Sequence, residues 1–167
     1  LSLVGSEMCI RDRLYQYGKY LMISGSRRGG QPLNLQGQWN ANIRPAWSSN
    51  YTVNINTQMN YWGASLCGLQ ECLEPYLRMV HEVCKRGGKT AKVNYGCRGF
   101  ACNHNVDLWR KTAPVIGESN YMYAPLCGVW LANEIYEHYL NGGLDAERDT
   151  VLETVSYTHL TLPTNSR

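Results

Sequence analysis

The chain has 167 residues and a formal net charge of +3, with no basic block or stripe, which argues against a nucleic-acid partner. No apolar run approaches the ~18 residues of a membrane span, so no membrane partner is expected, and the first residues lack the apolar core of a secretory signal. Phe occurs once, at Phe100, against 12 Tyr and 5 Trp; flat apolar faces with polar edges suit the C–H faces and hydroxyls of sugars.

The two ends belong together at the level of DNA. Met8-Cys9-Ile10-Arg11-Asp12 can be read back as ATG TGT ATA AGA GAC. The reverse complement, GTC TCT TAT ACA CAT, encodes Val-Ser-Tyr-Thr-His, which stands at Val155 to His159. Such a terminal inverted repeat is expected of translated sequencing adapter, so residues 1–13 and 154–167 are set aside. Residues 14–153 remain, enough for one ordinary domain. Their cysteines, Cys67, Cys72, Cys84, Cys97, Cys102 and Cys127, form no C-x-x-C pair and no zinc-like spacing. Reduced, buried thiols are expected, as in a cytoplasm or an anaerobic habitat.

Leu14, Tyr17 and Leu21 recur at helical spacing, so the chain opens in a helix that Ser24 to Gly30 breaks. Gln31 to Asn50 is rich in Asn, Gln, Pro, Trp and Ser without a clear period, and a long irregular segment is usually functional. Tyr51 to Asn56 alternates apolar and polar residues and reads as extended. Ile55, Met59, Trp62 and Leu66 then form a helical stripe, with Asn56 or Thr57 as N-cap and Trp62 in the core. A helix with Pro75 in its first turn follows, burying Leu77, Val80, Cys84, Ala91 and Tyr95; Gly87 and Gly88 mark either a close contact or a break. A second irregular polar stretch spans Gly96 to Pro125. A helix from Gly128 to Leu140 ends at Asn141-Gly142-Gly143, and Asp145 to Glu153 begins another. Helices joined by long loops, without parallel strands, predict an all-α architecture.

Three constellations can carry chemistry. On an extended segment Thr52, Asn54 and Asn56 share one face, so the two carboxamides either hold a water and sugar hydroxyls or cap the following helix. His104-Asn105-Val106-Asp107-Leu108-Trp109 gathers an imidazole, an amide, a carboxylate and an indole, either as a polar site or around a structural histidine. Trp39, Trp47 and Trp109 lie in loops and are candidates to stack on a sugar ring. Glycoside hydrolysis ordinarily needs two carboxyl groups flanking the scissile bond. Asp107 is the one acidic residue in a dense polar loop cluster, while Glu71, Glu74, Glu82, Glu134 and Glu137 sit on predicted helices.

Asn34-Leu35-Gln36-Gly37-Gln38-Trp39-Asn40, Pro45-Ala46-Trp47 and the run from Tyr51 to Trp62 closely resemble glycoside hydrolase family 95. So do Gly87 to Ala91 with Tyr95-Gly96, Arg98-Gly99-Phe100, His104 to Trp109 with Ala113-Pro114, and Glu137 to Leu140. The resemblance runs in order over nearly all of Leu14 to Leu140. It implies a partial (α/α)6 toroid and inverting hydrolysis of terminal α-L-fucosyl linkages, with the α-L-galactosyl group or non-catalytic sugar binding as alternatives. A fucosylated glycan is the implied partner, no metal or organic cofactor is expected, and a bacterial source is expected. In the family two asparagines position the attacking water, and Asn54 and Asn56 match them. Thr52, Trp47, His104, Asn105, Asp107 and Trp109 are the implied substrate contacts. The family's polarising aspartate and its general-acid glutamate fall beyond Glu153. Two departures stand out: Asn103-His104 replaces a common pair of histidines, and Val106 replaces a common threonine. Four or five helices cannot close a toroid of twelve, so the isolated chain is expected to be inactive and prone to aggregate.

Overall fold

The computed structural model describes residues 2–141, the side chains of 2–6 and of 121 excepted. The expected helix at Asp145 to Glu153, the Gly142-Gly143 stop and the tract 154–167 lie outside the described residues. The chain is mainly helical, the all-α arrangement expected of part of an (α/α)6 toroid. Helix α1 is Ser2–Gly25, α2 Asn56–Tyr61, α3 Glu74–Tyr95, α4 Ser119–Met122 and α5 Cys127–Leu140. Two-residue strands, β1 (Tyr51–Thr52) and β2 (Asn105–Val106), pair antiparallel. No described helix is long and apolar enough to cross a membrane.

Helix α3 is the centre of the core. Pro75 occupies its first turn, where a missing N–H costs nothing, and Gly96, at φ 62°, closes it in the left-handed conformation. Its buried residues include Tyr76, Leu77, Met79, Val80, Val83, Cys84 and Ala91, a wider face than the stripe predicts, because α3 packs on both α5 and the polar loop. Tyr76 donates its hydroxyl to the Leu131 carbonyl on α5 at 2.8 Å. Gly87 and Gly88 do not break the helix. A Cβ at Gly87 would stand 2.8 Å from the Ala101 carbonyl and 3.0 Å from the Phe100 Cβ, so Gly87 is there for close approach. Phe100 wedges between this point and Gly128 of α5, where a Cβ would meet its ring at 2.5 Å. None of the cysteines is in a disulfide; Cys72, Cys84, Cys102 and Cys127 are buried, while Cys67 and Cys97, expected to be buried, are only half-buried.

Helix α1 runs through the expected boundary at Arg13, and its residues from Glu7 to Gly18 are exposed. Helix α2 departs from expectation. Its apolar stripe faces outward: Trp62 is 46% exposed, and Ile55, Met59 and Leu66 are exposed too. The buried face is Thr57, Gln58 and Tyr61, followed by Ala64. Hydrogen bonds made by this face favour the orientation. Gln58 donates Nε2 to the Val53 carbonyl at 2.6 Å. The Tyr61 hydroxyl meets Ser26 Oγ at 2.7 Å and accepts the Leu33 N–H at 2.9 Å. Its ring packs on Tyr76, centroids 4.8 Å apart. The outward stripe leaves apolar surface uncovered.

Candidate functional site

The polar segments converge on the β1–β2 pair. Tyr51 stands opposite Val106 and Thr52 opposite Asn105, and the Val53 N–H donates to the His104 carbonyl at 2.7 Å. The Thr52 hydroxyl lies 2.8 Å from Asn50 Oδ1 and 3.2 Å from Asn105 Oδ1, linking the two polar segments side chain to side chain. On the strands' outer side opens a groove of about 440 Å³ lined by Asn34, Ser48, Ser49, Asn50, Tyr51, Asp107, Leu108 and Trp109. Asn34 is set by a tight turn: its Oδ1 accepts the Gln36 N–H at 2.8 Å, and its carbonyl accepts the Gly37 N–H at 2.9 Å.

Both rims carry unusual backbone. Trp47, Ser48 and Ser49 have φ of 53°, 56° and 47°, and Arg110 has φ 60°. These are the non-glycine residues with positive φ among those described. Each costs roughly 1–2 kcal/mol relative to a right-handed conformation, and such outliers persist where the surroundings hold them, often at functional sites.

The expected residues are placed unevenly. Trp109 and Asp107 line the groove, with Trp109 71% exposed. Trp47 is 73% exposed and adjoins the Ser48 wall without lining it. Asp107 Oδ1 accepts the N–H groups of Trp109 and Lys111, both at 2.9 Å, so this carboxylate shapes its own loop. His104 is buried, and burial lowers its pKa from the ordinary histidine value. Asn105 is half-buried against Thr52.

Asn54 and Asn56 are exposed and do not line the groove. The extended backbone expected through Asn56 stops at Thr52. Thr57 donates its hydroxyl to the Thr52 carbonyl at 3.0 Å, and Gln58 reaches Val53, so the chain folds into a turn at Val53 to Ile55. Asn54 therefore sits in a turn and Asn56 begins α2, and the same-face argument from period two does not apply to them. Neither Asn56 nor Thr57 is the N-cap; Ile55 holds that position without a side-chain cap bond. Trp39 lies elsewhere, against Gly25 and Gly37 in a hollow beside α1.

Three other carboxylates are engaged outside the groove. Glu74 pairs with Arg78 at 2.9 Å and Glu82 with Arg110 at 2.6 Å. Glu134 has its pKa raised by burial, against a hydrogen bond from Trp62 that lowers it. Asn103 is fully buried: Oδ1 accepts from the Tyr95 hydroxyl at 2.7 Å and the Ala124 N–H at 2.9 Å, and Nδ2 donates to the Thr112 carbonyl at 2.9 Å. Asn103, read from the sequence as a departure from the family's pattern, is thus a structural node and not a groove residue. Val106, the other departure, is also buried. Sequence reading missed Arg110, which directly follows the cluster ending at Trp109 and is buried by its partners.

A helical domain with a loop-built groove, bordered by amide and hydroxyl side chains and walled by an exposed indole, suits a carbohydrate-active protein. A model of the glycosyl hydrolase family 95 catalytic domain matches residues 6–157, and the chain belongs to this family. Alpha-L-fucosidase 2 of Arabidopsis thaliana is 44% identical over 128 residues, 77% of this chain and 15% of that protein. Probable alpha-fucosidase A of Aspergillus niger is 35% identical over 132 residues, 78% of this chain and 16% of that protein. Its namesake in Aspergillus oryzae is 33% identical over 148 residues, 83% and 20% respectively. The chain spans between 15 and 20% of the length of these curated relatives. They are plant and fungal proteins and lend no support to the expected bacterial source.

Proposed function

We propose that this chain forms part of the catalytic domain of an inverting α-L-fucosidase, which hydrolyses terminal α-L-fucosyl linkages in glycans. The observation that carries the reading is the β1–β2 pairing. It sets Thr52 against Asn105 and leaves a groove walled by Trp109 on one side and Ser48 to Tyr51 on the other. Family membership and the fucosidase relatives support the sugar and the bond.

In this reading Trp109, with Trp47 beside the opposite wall, stacks on the apolar face of the fucose ring. Asn105 and Asp107 meet hydroxyls at the groove, and Thr52 keeps Asn105 in register. His104, its pKa lowered by burial, is neutral at pH 7 and acts as a hydrogen-bonding group without a charge. Asn54 and Asn56, exposed just past β1, hold the attacking water. A carboxamide offers a fixed donor and a fixed acceptor and so can orient a water that a polarising carboxylate deprotonates. Inversion follows when that water attacks the face opposite the leaving oxygen. Asp107 is the carboxylate among the described groove residues, and its Oδ1 is taken by two backbone amides. The leaving oxygen is therefore protonated by a carboxylic acid from another part of the domain.

The test is turnover of an aryl α-L-fucoside by the full-length protein carrying this segment. Asn54→Ala or Asn56→Ala lowers kcat by about a hundredfold or more, with the folded state intact by circular dichroism. Unchanged turnover sinks the assignment of the asparagines. Preference for an α-L-galactoside moves the substrate to the galactosyl group, and binding of fucose without hydrolysis makes the protein a carbohydrate-binding relative.

A further inference from the structure

We infer that Arg110 is the positioning residue of the groove: its buried guanidinium holds the loop bearing Trp109 at a fixed distance from the opposite wall, so that the indole is ready for a sugar ring. The inference rests on the proposed reading of the groove as a sugar site.

Arg110 is only 3% exposed. Its Nε donates to Glu82 Oε2 on α3 at 2.6 Å, and its Nη2 to Gln31 Oε1 at 2.7 Å. Its Nη1 donates to the carbonyls of Leu108 at 3.2 Å and Asp107 at 3.4 Å. The guanidinium carbon stands 5.7 Å from the centre of the Tyr51 ring, itself part of the groove lining. One side chain thus joins the 107–109 wall to α3, to the start of the first polar segment and to β1.

The chemistry favours arginine for this task over any other residue. The rigid fork presents five donors in fixed directions. An ammonium at the same place lacks the spread to reach Glu82, Gln31 and two carbonyls together. Burying a charge is costly unless it is paired, and Glu82 supplies the counter-charge. The backbone argues the same way. Arg110 has φ 60°, a conformation glycine adopts without strain, yet the position carries a long, fully engaged side chain. Asp107 contributes a different constraint: its bonds to the Trp109 and Lys111 amides curl the loop locally and attach it to nothing else. Among the described residues, the hydrogen bonds joining 107–111 to other segments are those of Arg110.

The experiment has one arm that needs no sugar and one that does. By hydrogen exchange on the full-length protein, Arg110→Met speeds exchange at Trp109 and Lys111 by about tenfold while the α3 and α5 amides stay unchanged. With an aryl α-L-fucoside and the full-length protein, Arg110→Met raises KM about tenfold, the most that one stacking contact contributes, and leaves kcat within about twofold. Trp109→Ala does the same. The double variant is no worse than Trp109→Ala alone, because Arg110 acts through the indole. Arg110→Lys falls between. Additive KM effects, a kcat that falls in step with the KM rise, or unchanged loop amides would overturn the inference. Should Arg110→Met fail to fold, Arg110→Lys and Glu82→Gln carry both arms. Loosened loop amides in a protein that neither binds nor cleaves fucose leave the tether standing and remove the sugar reading.

Discussion

Residues 31–50 and 96–125 are both rich in amide and hydroxyl side chains and both lack a regular period. From Gln38 to Ser48 every residue except Pro45 is exposed, whereas Phe100 to His104, Arg110 and Thr112 are buried. The difference lies in where the hydrogen bonds go. Asn40 serves its own neighbourhood, through the Asn42 N–H at 2.7 Å and Ser49 Oγ at 3.3 Å. Asn103 and Arg110 serve remote segments, from Gln31 to Ala124. A polar side chain that pairs across the fold can be taken out of water, because every donor and acceptor finds a partner. One that pairs locally stays at the surface, available to solvent or to a ligand. The groove is made where the two kinds of segment meet.

The largest expected effect tests that distinction at Asn103. Asn103→Leu deletes three side-chain hydrogen bonds and leaves the Tyr95 hydroxyl and the Ala124 N–H without this partner, while the Thr112 carbonyl keeps the N–H of residue 103 at 3.1 Å. Unpaired buried groups cost about 1–3 kcal/mol each, so with two such half-buried groups the urea midpoint falls by the equivalent of about 2–4 kcal/mol. Asn40→Ala in the exposed segment shifts it by less than about 0.5 kcal/mol. Similar shifts for the two would break the comparison.

Next comes the anchor that ties the first segment to the core. The Tyr61 phenol, holding Ser26 and the Leu33 N–H, is pushed up to about 12 by burial. The unfolded phenol ionises near 10. Since the folded state keeps its proton to higher pH, stability is intact below pH 10 and is lost between pH 10 and 12, by about 3 kcal/mol. Tyr61→Phe is less stable at neutral pH and shows a shallower fall across that window. An unchanged slope in a denaturation series at pH 9–12 would show that the anchor is not buried.

A smaller effect separates the packed loop from the exposed helix. Gly87→Ala forces its methyl against the Ala101 carbonyl and Phe100 and costs about 1–3 kcal/mol. Gly18→Ala on α1 meets nothing within 4 Å and gains about 0.5–1 kcal/mol of helix propensity. Thermal midpoints moving in opposite directions would confirm that 96–125, and not α1, is the part packed to density.

Helices α3 and α5, and α1 from Leu14 on, were legible because their signals are local: helical apolar spacing, Pro75 in a first turn, Asn141 past a last one. The two irregular polar segments were legible from composition, and the family from the long run Asn34 to Trp62. What failed was orientation. The stripe Ile55, Met59, Trp62, Leu66 has a valid helical period, but so does the face of Thr57, Gln58, Tyr61 and Ala64. Which one turns inward is settled by Ser26, Leu33 and Val53, partners remote in sequence or on the backbone. Arg110 was missed for the same reason. Two of its four hydrogen bonds, to Glu82 and Gln31, exist only after α3 and residue 31 arrive, and nothing local in the sequence marks it out.

The two exposed indoles give the finest test of the comparison, because they differ in support rather than in exposure. Trp47 stands on the locally bonded segment and Trp109 on the loop that Arg110 ties down. Neither contributes much to folding, so Trp47→Ala and Trp109→Ala each leave stability within about 0.5 kcal/mol. Their effects on sugar should diverge. Stacking on a ring requires the indole to be held still, and ordering a rotamer-rich side chain costs about 0.5–1.5 kcal/mol. For Trp109 the loop is already tethered through Arg110, so most of the stacking energy appears as affinity and its loss weakens L-fucose binding about tenfold. For Trp47 the ordering cost offsets most of the gain, and its loss weakens binding about twofold or threefold. Isothermal titration of the full-length protein with L-fucose reads both. If Trp47→Ala proves the more damaging, the exposed segment is the organised side of the groove on binding, and the sugar sits on the Ser48 wall rather than against Trp109.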